Sequence, residues 1–280
     1  MTNSSSSSFL VTGGTGKTGR RVADVLQSRG FSAKVASRSG AVRFDWTDRT
    51  TWGPALTDVG AVYVVGSEDP SAVDDVRAFV TAAAEHGVRR LVLLSARVWE
   101  DLDDGSGSVL ATEQVVRASG LEWTILRPTW FAQNFTEFPY FVAPLTKGEL
   151  RIPAGEGREP FVDLDDLADV AVTALTEDGH NGRTYALSGP RAMTFGEAVA
   201  EIARASGREL RYVPVTEDEY RAETIAGGES EEIADVFVEL FRHIREGRSE
   251  AVSNGVREAL DRDPSDFSNY TARTDFSVLG

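Results

Sequence analysis

The stretch from Phe9 to Val22 constrains the fold more than any other part of the sequence. It opens with a short apolar run, has four glycines between positions 13 and 19, and ends in apolar residues at helical spacing. A continuous apolar run of this length is typical of a strand that is buried on both faces. Gly30 stands where the following helix would end. The stretch therefore predicts a strand, a glycine turn and a helix in that order.

The spacing of the glycines indicates what the turn can bind. Gly13, Gly16 and Gly19 form G-x-x-G-x-x-G, in which one glycine allows a tight turn, one a close backbone approach to a pyrophosphate and one close packing of helix on strand. The N–H groups of the first helical turn would then face phosphates. A P-loop would need a glycine where Val11 stands, so that alternative fails. The sequence predicts a dinucleotide-binding turn, and a glycine turn without a ligand is the remaining alternative.

The rest of the first two thirds alternates between strand-like and helix-like segments. Such an alternation predicts an α/β fold with a doubly wound parallel sheet of the Rossmann-like type. Helical patterns dominate after residue 190 and predict a small, mainly helical C-terminal lobe that covers a substrate. We expect a dinucleotide-binding domain at 1–130, continued by 160–190, and a smaller lobe formed by 131–159 and 191–280. The predicted strands cover 9–11, 33–37, 61–65, 91–95, 123–126, 161–163 and 185–187, and 42–46 is predicted to be a short third strand together with its exit.

Ligands of such sheets lie at the carboxyl ends of the strands. Ser37-Arg38-Ser39 follows the second strand, where an acidic residue would favour NAD. A guanidinium and hydroxyl groups suit a 2′-phosphate instead, so NADP(H) is the predicted cofactor and NAD(H) the less suitable one. The alternative for Arg38 is a solvated surface arginine.

Further strand ends complete the candidate cofactor site. Asp45 and Trp46 would lie beside the adenine, with a helix cap and a packing residue as their alternatives. Gly66 and Ser67 follow the fourth strand and would border the cofactor's path. The full set of cofactor-binding candidates is Gly13, Thr15, Gly16, Lys17, Thr18, Gly19, Ser37, Arg38, Asp45, Trp46, Gly66, Ser67, Ser95 and Pro128.

An aromatic segment with few charges spans 130–141. Aromatic side chains on a loop at the strand ends can form an apolar slot for a flat substrate. Trp130, Phe131 and Asn134 are the candidate substrate-pocket residues. The alternative is that these aromatics form the core of the smaller lobe.

Composition excludes several classes of function. The chain has no cysteine and only three histidines, which are scattered, so we expect no metal site. Its formal net charge of −15 disfavours nucleic acid as a partner. No apolar run approaches the ~20 residues that a membrane span needs, and the serine-rich start lacks the pattern of a signal peptide. We expect a cytoplasmic protein with a small aromatic or polycyclic substrate, and a homodimer is possible.

Several stretches together resemble the atypical short-chain dehydrogenases/reductases of the NmrA-like branch. This branch includes triphenylmethane reductase and the ergot-alkaloid reductases (festuclavine synthase and agroclavine dehydrogenase), to which the likeness is closest. The resemblance implies a cytosolic NADPH-dependent reductase of a conjugated or cationic substrate. It is carried by Thr12–Gly19, Val35–Ser39, Phe44–Trp46, Leu93–Ala96, Leu126–Phe131, Asn134-Phe135 and Pro160–Val162.

The sequence lacks the proton-donating pair of ordinary short-chain dehydrogenases. No lysine follows a tyrosine at an offset of four. We therefore expect hydride transfer to an acceptor that is already an electron sink, such as an iminium or a quinonoid polycycle of secondary or antibiotic metabolism. Ser95, Trp130 and Glu113 are the candidate catalytic residues. Glu113 would serve as proton donor only if burial raised its pKa, and an exposed helix position is its alternative.

Two alternatives to simple reduction remain open. The protein would be an NADP(H)-sensing regulator without catalysis if no small molecule accepts the hydride. It would bring about a net hydroxylation if it reduced an aromatic polyketide quinone whose hydroquinone then reacts with oxygen. The same nucleotide site serves all three readings of the sequence.

Overall fold

The structure of the protein is a computed structural model, which describes residues 8–66, 72–102 and 108–280. The strands of the described chain are β1 (Ser8–Val11), β2 (Ala33–Ser37), β3 (Val42–Arg43), β4 (Val59–Val65), β5 (Arg90–Leu94), β6 (Glu122–Pro128), β7 (Glu149–Ile152), β8 (Arg158–Glu159), β9 (Arg183–Leu187), β10 (Met193–Thr194) and β11 (Arg211–Pro214).

The helices follow in chain order. They are α1 (Lys17–Ser28), α2 (Trp52–Leu56), α3 (Ala72–Glu85), α4 (Trp99–Leu102), α5 (Ser108–Arg117), α6 (Asn134–Glu137), α7 (Pro139–Thr146), α8 (Leu164–Thr176), α9 (Phe195–Ser206), α10 (Glu217–Ala226), α11 (Glu231–Arg245), α12 (Gly255–Leu260) and α13 (Phe267–Arg273). Short 3₁₀ turns occur at Arg49–Thr51 and Phe276–Leu279.

A seven-stranded sheet in the order β3-β2-β1-β4-β5-β6-β9 forms the centre of the first part of the fold. All neighbouring strands in this sheet are parallel. Residues of its central strands are fully buried, as continuous apolar runs require when helices cover both faces of a sheet. The predicted doubly wound parallel sheet is confirmed.

The chain divides into two compact units. The first unit runs up to Pro128 and is joined by Leu164–Leu187 and Gly255–Arg262, whereas the second comprises Thr129–Asp163, Ser188–Asn254 and Asp263–Gly280. Helix α12 belongs to the first unit, although the sequence placed 191–280 in the second. Gly255 explains this position, because a Cβ there would lie 2.1 Å from the carbonyl oxygen of Ala186 in β9.

Each unit has its own apolar core. The core of the first unit lies around Leu10, Val62 and Leu91 of the central strands, and also takes in Trp52 and Phe79. The core of the second unit is rich in aromatic rings, among them Phe135, Phe141, Phe195, Phe241 and Phe267. The second unit is mainly helical, and its predicted role in covering a substrate stays a prediction.

One local expectation about the elements differs from the structure, because the predicted strand at 161–163 is a single bridge between Val162 and Phe131. Strand β3 ends at Arg43, and the residues up to Trp46 form its exit. Asp165 and Asp166 lie inside the first turn of α8. The Thr-x-x-Glu spacings at Thr194 and Thr216 form capping boxes, in which the threonine hydroxyl accepts from the N–H of the glutamate three residues on.

No helix in the described ranges combines the length and apolar character that crossing a membrane requires. Within the same ranges, no group of three or more histidine, aspartate or glutamate side chains is arranged to hold a metal ion.

Candidate functional site

The turn between β1 and α1 is folded back tightly on itself. Gly13 has φ of +59°, a left-handed conformation that favours glycine. The N–H of Gly16 donates to the carbonyl oxygen of Gly13 at 2.9 Å, and the N–H of Gly14 donates to the carbonyl oxygen of Ala36 at 2.9 Å. These bonds hold the turn against the end of β2, its neighbour in the sheet.

Two of the glycines leave no room for a side chain. A Cβ on Gly19 would lie 2.3 Å from the carbonyl oxygen of Gly13, so α1 packs directly on the turn. A Cβ on Gly14 would lie 2.6 Å from Cγ1 of Val35 and 3.0 Å from the backbone nitrogen of Ala36. The sequence assigned close packing to one of the three spaced glycines, and Gly14 is a second such position that it missed.

The N-terminus of α1 has no side-chain cap. Gly16 precedes the helix with extended backbone and has no side chain that could accept from the first N–H groups, and the first turn carries no acidic residue. Thr15 and Gly16 are exposed, whereas Thr18 is buried. Uncapped N–H groups at the positive end of a helix, next to exposed residues of the turn, fit a pyrophosphate. The residues of this turn therefore fit a dinucleotide.

A buried threonine, Thr12, ties the turn to β4. Sequence reasoning did not assign this role to Thr12. The hydroxyl of Thr12 accepts from the N–H of Val65 at 2.8 Å and donates to the carbonyl oxygen of Tyr63 at 3.2 Å. Thr12 is fully buried. A polar residue directly after a buried strand is the only signal that could have marked it. The clamp fixes the carboxyl ends of β1 and β4 relative to each other.

The end of β2 carries the residues predicted to face a 2′-phosphate. Arg38 is exposed and makes no hydrogen bond or ion pair within the described chain, although its charge contributes to lowering the pKa of Asp45. The hydroxyl of Ser37 is buried without a hydrogen-bond partner in the same ranges. An exposed guanidinium beside an unsatisfied hydroxyl is compatible with an anionic ligand group.

Asp45 and Trp46 lie at the exit of β3. Asp45 accepts from the backbone N–H and the hydroxyl of Thr47, and these bonds lower the pKa of its carboxyl. Trp46 donates from its indole nitrogen to the carbonyl oxygen of Val65 at 3.2 Å and packs edge-on against Phe44. Both residues have structural partners here, and their contact with an adenine stays a prediction.

Gly66 and Pro128 stand at the carboxyl ends of β4 and β6. A Cβ on Gly66 would meet nothing within 4 Å, so this strand end is open. Pro128 is buried, and its carbonyl oxygen accepts from the N–H of Arg97 at 3.0 Å. Ser67, the neighbouring candidate, lies outside the described residues.

Ser95 and Glu113 are brought into direct contact. The Ser95 hydroxyl lies 2.6 Å from Oε1 of Glu113, and Arg127 donates from Nε to Oε1 at 2.8 Å and from a terminal nitrogen to Oε2 at 2.6 Å. Glu113 is 2% exposed, so the alternative of an exposed helix residue is wrong. Sequence reasoning missed its partner Arg127, because the pairing joins α5 to β6.

The expected proton donor is also corrected. Burial alone would raise the pKa of Glu113, but hydrogen bonds from Arg127, Ser95 and Arg117 outweigh it and hold the pKa below its usual value. A carboxyl with a lowered pKa is ionised near neutral pH and has no proton to give. The condition under which Glu113 would act as an acid is therefore not met.

The substrate-pocket candidates belong to the second unit. The indole ring of Trp130 stacks on Phe141, with ring centroids 5.6 Å apart, and the backbone N–H of Trp130 donates to the carboxylate of buried Glu159 at 3.1 Å. Phe131 is half-buried, and Asn134 is 6% exposed and begins α6. Trp130 thus packs on the aromatic core of this unit, and a substrate contact for the three residues stays a prediction.

Comparison with known proteins identifies the family. The model of the NAD(P)H-binding family matches residues 13–178, more than half of the chain. The chain belongs to the NAD(P)H-binding family. Family members include a (4-alkanoyl-5-oxo-2,5-dihydrofuran-3-yl)methyl phosphate reductase of Streptomyces griseus, 35% identical to this chain and matching 94% of it and 96% of the relative. Festuclavine synthase I of Penicillium roqueforti is 29% identical, with 94% and 96% matched.

Solved structures of other proteins share this fold. Triphenylmethane reductase of Citrobacter sp., solved with NADP(H), superposes with a TM-score of 0.73 at 22% identity over 95% of this chain and 99% of that one. The resemblance to NmrA-like atypical short-chain dehydrogenases/reductases is confirmed, with ergot-alkaloid reductases among the relatives. This member of the NAD(P)H-binding family is an NAD(P)H-dependent oxidoreductase.

Proposed function

We propose that the protein is an NADPH-dependent reductase that transfers hydride to a conjugated, quinonoid or iminium polycyclic molecule without a tyrosine–lysine pair. The observation that carries this proposal is the glycine turn, in which Gly14 and Gly19 admit no side chain and the N-terminus of α1 has neither a side-chain cap nor an acidic residue in its first turn. Such a turn holds a pyrophosphate at the carboxyl edge of a parallel sheet. The bound dihydronicotinamide supplies the hydride.

NADPH rather than NADH is the proposed donor because of the end of β2. Arg38 is exposed there with no hydrogen-bonding partner in the described chain, and no acidic residue stands at 37–39 to bind a ribose 2′-hydroxyl. Arginine suits a phosphate because its planar guanidinium donates two parallel hydrogen bonds. The solved triphenylmethane reductase, which contains NADP(H), supports this choice as a relative in fold.

An electron-poor acceptor is proposed because the described residues offer no proton donor next to Ser95. Glu113 is ionised, and α5 contains neither tyrosine nor lysine. An acceptor whose charge is neutralised or delocalised by the hydride needs no such donor. The name of the Streptomyces griseus relative fits this class. The oxo-dihydrofuran with an alkanoyl group in that name has a C=C bond conjugated to carbonyl groups. Trp130, Phe131 and Asn134 are the residues proposed to contact the flat acceptor.

The experiment is a nucleotide titration followed by NADPH oxidation against a panel of acceptors. Quinones, iminium dyes and acyl-substituted unsaturated lactones form the test group, and simple aliphatic ketones of similar size form the control. We expect turnover with the first group and none with the ketones, because a ketone needs a proton as its oxygen gains charge. Turnover of the ketones at a similar rate would overturn the proposed acceptor class.

The two alternatives have their own outcomes in the same experiment. Tight NADPH binding with no oxidation by any acceptor would favour the NADP(H)-sensing regulator. Oxygen uptake with a hydroxylated product would favour quinone reduction followed by reaction with oxygen. Product analysis with and without oxygen separates this second outcome from simple reduction.

A further inference from the structure

A buried ion pair lies next to Ser95 in the first unit, and one of its members, Glu113, contacts the Ser95 hydroxyl. Glu113 on α5 and Arg127 on β6 form a two-point pair, with distances of 2.8 Å and 2.6 Å. The side chain of Arg127 is 14% exposed and that of Glu113 is 2% exposed. Arg127 also pairs with Glu100, and Arg117 approaches Glu113 at 3.4 Å. The carboxylate is therefore held by two arginines, of which Arg127 is itself tied to α4 through Glu100.

The pair decides the direction of the hydrogen bond between Ser95 and Glu113. A carboxylate that accepts from Arg127 at both oxygens is ionised, and an ionised carboxylate can only accept. Ser95 must therefore be the donor in the 2.6 Å contact with Oε1. Its single hydroxyl proton is committed to Glu113, and only its lone pairs remain for another partner.

The position of Ser95 points to that partner. Ser95 directly follows β5, and its backbone N–H donates to the carbonyl oxygen of Leu126 in β6. It thus stands at the carboxyl edge of the sheet, the edge at which ligands of this fold lie. A hydroxyl that can only accept will select a group that donates. The carboxamide of the nicotinamide ring offers an N–H of this kind, whereas a carbonyl oxygen of a substrate does not.

We propose that Glu113 and Arg127 are positioning residues that orient the Ser95 hydroxyl as a hydrogen-bond acceptor for the nicotinamide carboxamide. This inference rests on the proposed function, since it requires NADP(H) in the site. It assigns Ser95 to orienting the nicotinamide ring and removes it from the possible proton donors. It also gives the buried charges a role, because a buried ion pair is by itself weak support for stability.

The first test compares NADP⁺ with its 3-acetylpyridine analogue, in which a methyl ketone replaces the carboxamide. The analogue has no N–H to donate, so we expect the wild-type protein to bind it about fivefold more weakly than NADP⁺. The Ser95→Ala variant should bind both nucleotides with the same affinity. Ser95→Ala removes one oxygen and leaves the Glu113–Arg127 pair intact. A preference for NADP⁺ that persists in Ser95→Ala would overturn the inference.

The second test removes the pair without leaving a buried charge. Glu113→Leu/Arg127→Met replaces it by apolar side chains of similar volume, an exchange that is often neutral for stability. The Ser95 hydroxyl would then be free to rotate and to donate to the ketone of the analogue. We expect the analogue to bind several-fold more tightly than in the wild type, while NADP⁺ affinity changes little. An analogue affinity that stays at the wild-type value would contradict the positioning role.

A control variant and a third nucleotide separate the possible failures. Glu122→Gln alters a similar pair at the other end of the same strands, where Arg90 donates to Glu122 at 2.7 Å, and should keep the wild-type preference. ADP-ribose 2′-phosphate lacks the nicotinamide and should bind every variant alike. Failure of all three nucleotides to bind the wild type would overturn the proposed function itself. Normal binding without any discrimination in the wild type would overturn only the role of Ser95.

Discussion

At the scale of single residues, Arg38 is the residue that we propose to determine which nucleotide the protein prefers. Arg38→Ala should weaken NADPH binding on the order of tenfold or more and leave NADH binding almost unchanged, because a charge-assisted bond to the 2′-phosphate is lost. Titration of both nucleotides measures this. Arg43→Ala is the matched control, since Arg43 is an exposed arginine of β3 that approaches Asp48 at 3.5 Å. Equal weakening of both nucleotides by Arg38→Ala would remove the 2′-phosphate assignment.

Gly19 is required in the turn for a steric reason. Gly19→Ala places a Cβ 2.3 Å from a backbone oxygen, which no side-chain movement can relieve. We expect the free energy of unfolding to fall by about 2 kcal/mol or more and NADPH affinity to fall with it. Urea denaturation and nucleotide titration test both effects. Gly196→Ala on α9 is the control, because a Cβ there has ordinary contacts from 3.5 Å outward and should cost nothing. Wild-type stability of Gly19→Ala would show that the turn can open.

At the scale of elements, Glu217 joins α10 to α11. Arg242 donates to both of its carboxylate oxygens and Arg245 donates to one of them, and these bonds lower the pKa of Glu217 to about 2. The unfolded value is 4.5. Because the folded pKa is the lower one, the bonds stabilise the fold fully above pH 4.5, and their contribution is lost as the pH falls toward 2.

The corresponding prediction compares wild type with Glu217→Gln across pH. The wild type should be the more stable protein at pH 6 to 7 by a constant margin, and the margin should shrink steadily between pH 4.5 and pH 3. Urea denaturation at each pH measures the margin. A difference that does not change with pH would mean that the carboxylate is not held by the arginines in the folded state.

Some features of the elements could be predicted from the sequence, and others could not. Strand, turn and helix between Ser8 and Ser28 follow from glycine spacing and apolar periodicity, which are local signals. The capping boxes at Thr194 and Thr216 are local in the same way. The burial of Glu113 depends on Arg127 in a different element, and no spacing rule relates the two. The bridge at Val162 likewise follows from the approach of Phe131, a residue 31 positions earlier in the chain.

In the candidate site, too, some residues could be assigned from the sequence and others could not. The glycine turn could be placed from the sequence because its function requires particular backbone conformations at particular positions. Trp130 could not be assigned, since an aromatic ring serves equally well in a core and in a pocket. In the structure it stacks on Phe141, and its contact with a substrate stays a prediction.

At the scale of the whole molecule, the net charge of −15 opposes every polyanion, yet the proposed cofactor is itself an anion. The protein resolves this conflict locally, because the first turn of α1 has no acidic residue and Arg38 is exposed at the neighbouring strand end. Attraction within a few ångströms outweighs a dispersed repulsion that salt screens over about 8 Å. This arrangement predicts selectivity for one small anion over long polyanions.

A thermal unfolding experiment tests that selectivity. NADPH at about one hundred times its dissociation constant should add about 2.7 kcal/mol of stability and raise the melting temperature by several degrees. Duplex DNA at the same phosphate concentration should leave the melting temperature unchanged, because its extended charge meets the net negative charge of the protein. Arg38→Ala should reduce the shift caused by NADPH. An equal shift with DNA would mean that a cationic surface large enough for a polyanion exists despite the overall charge.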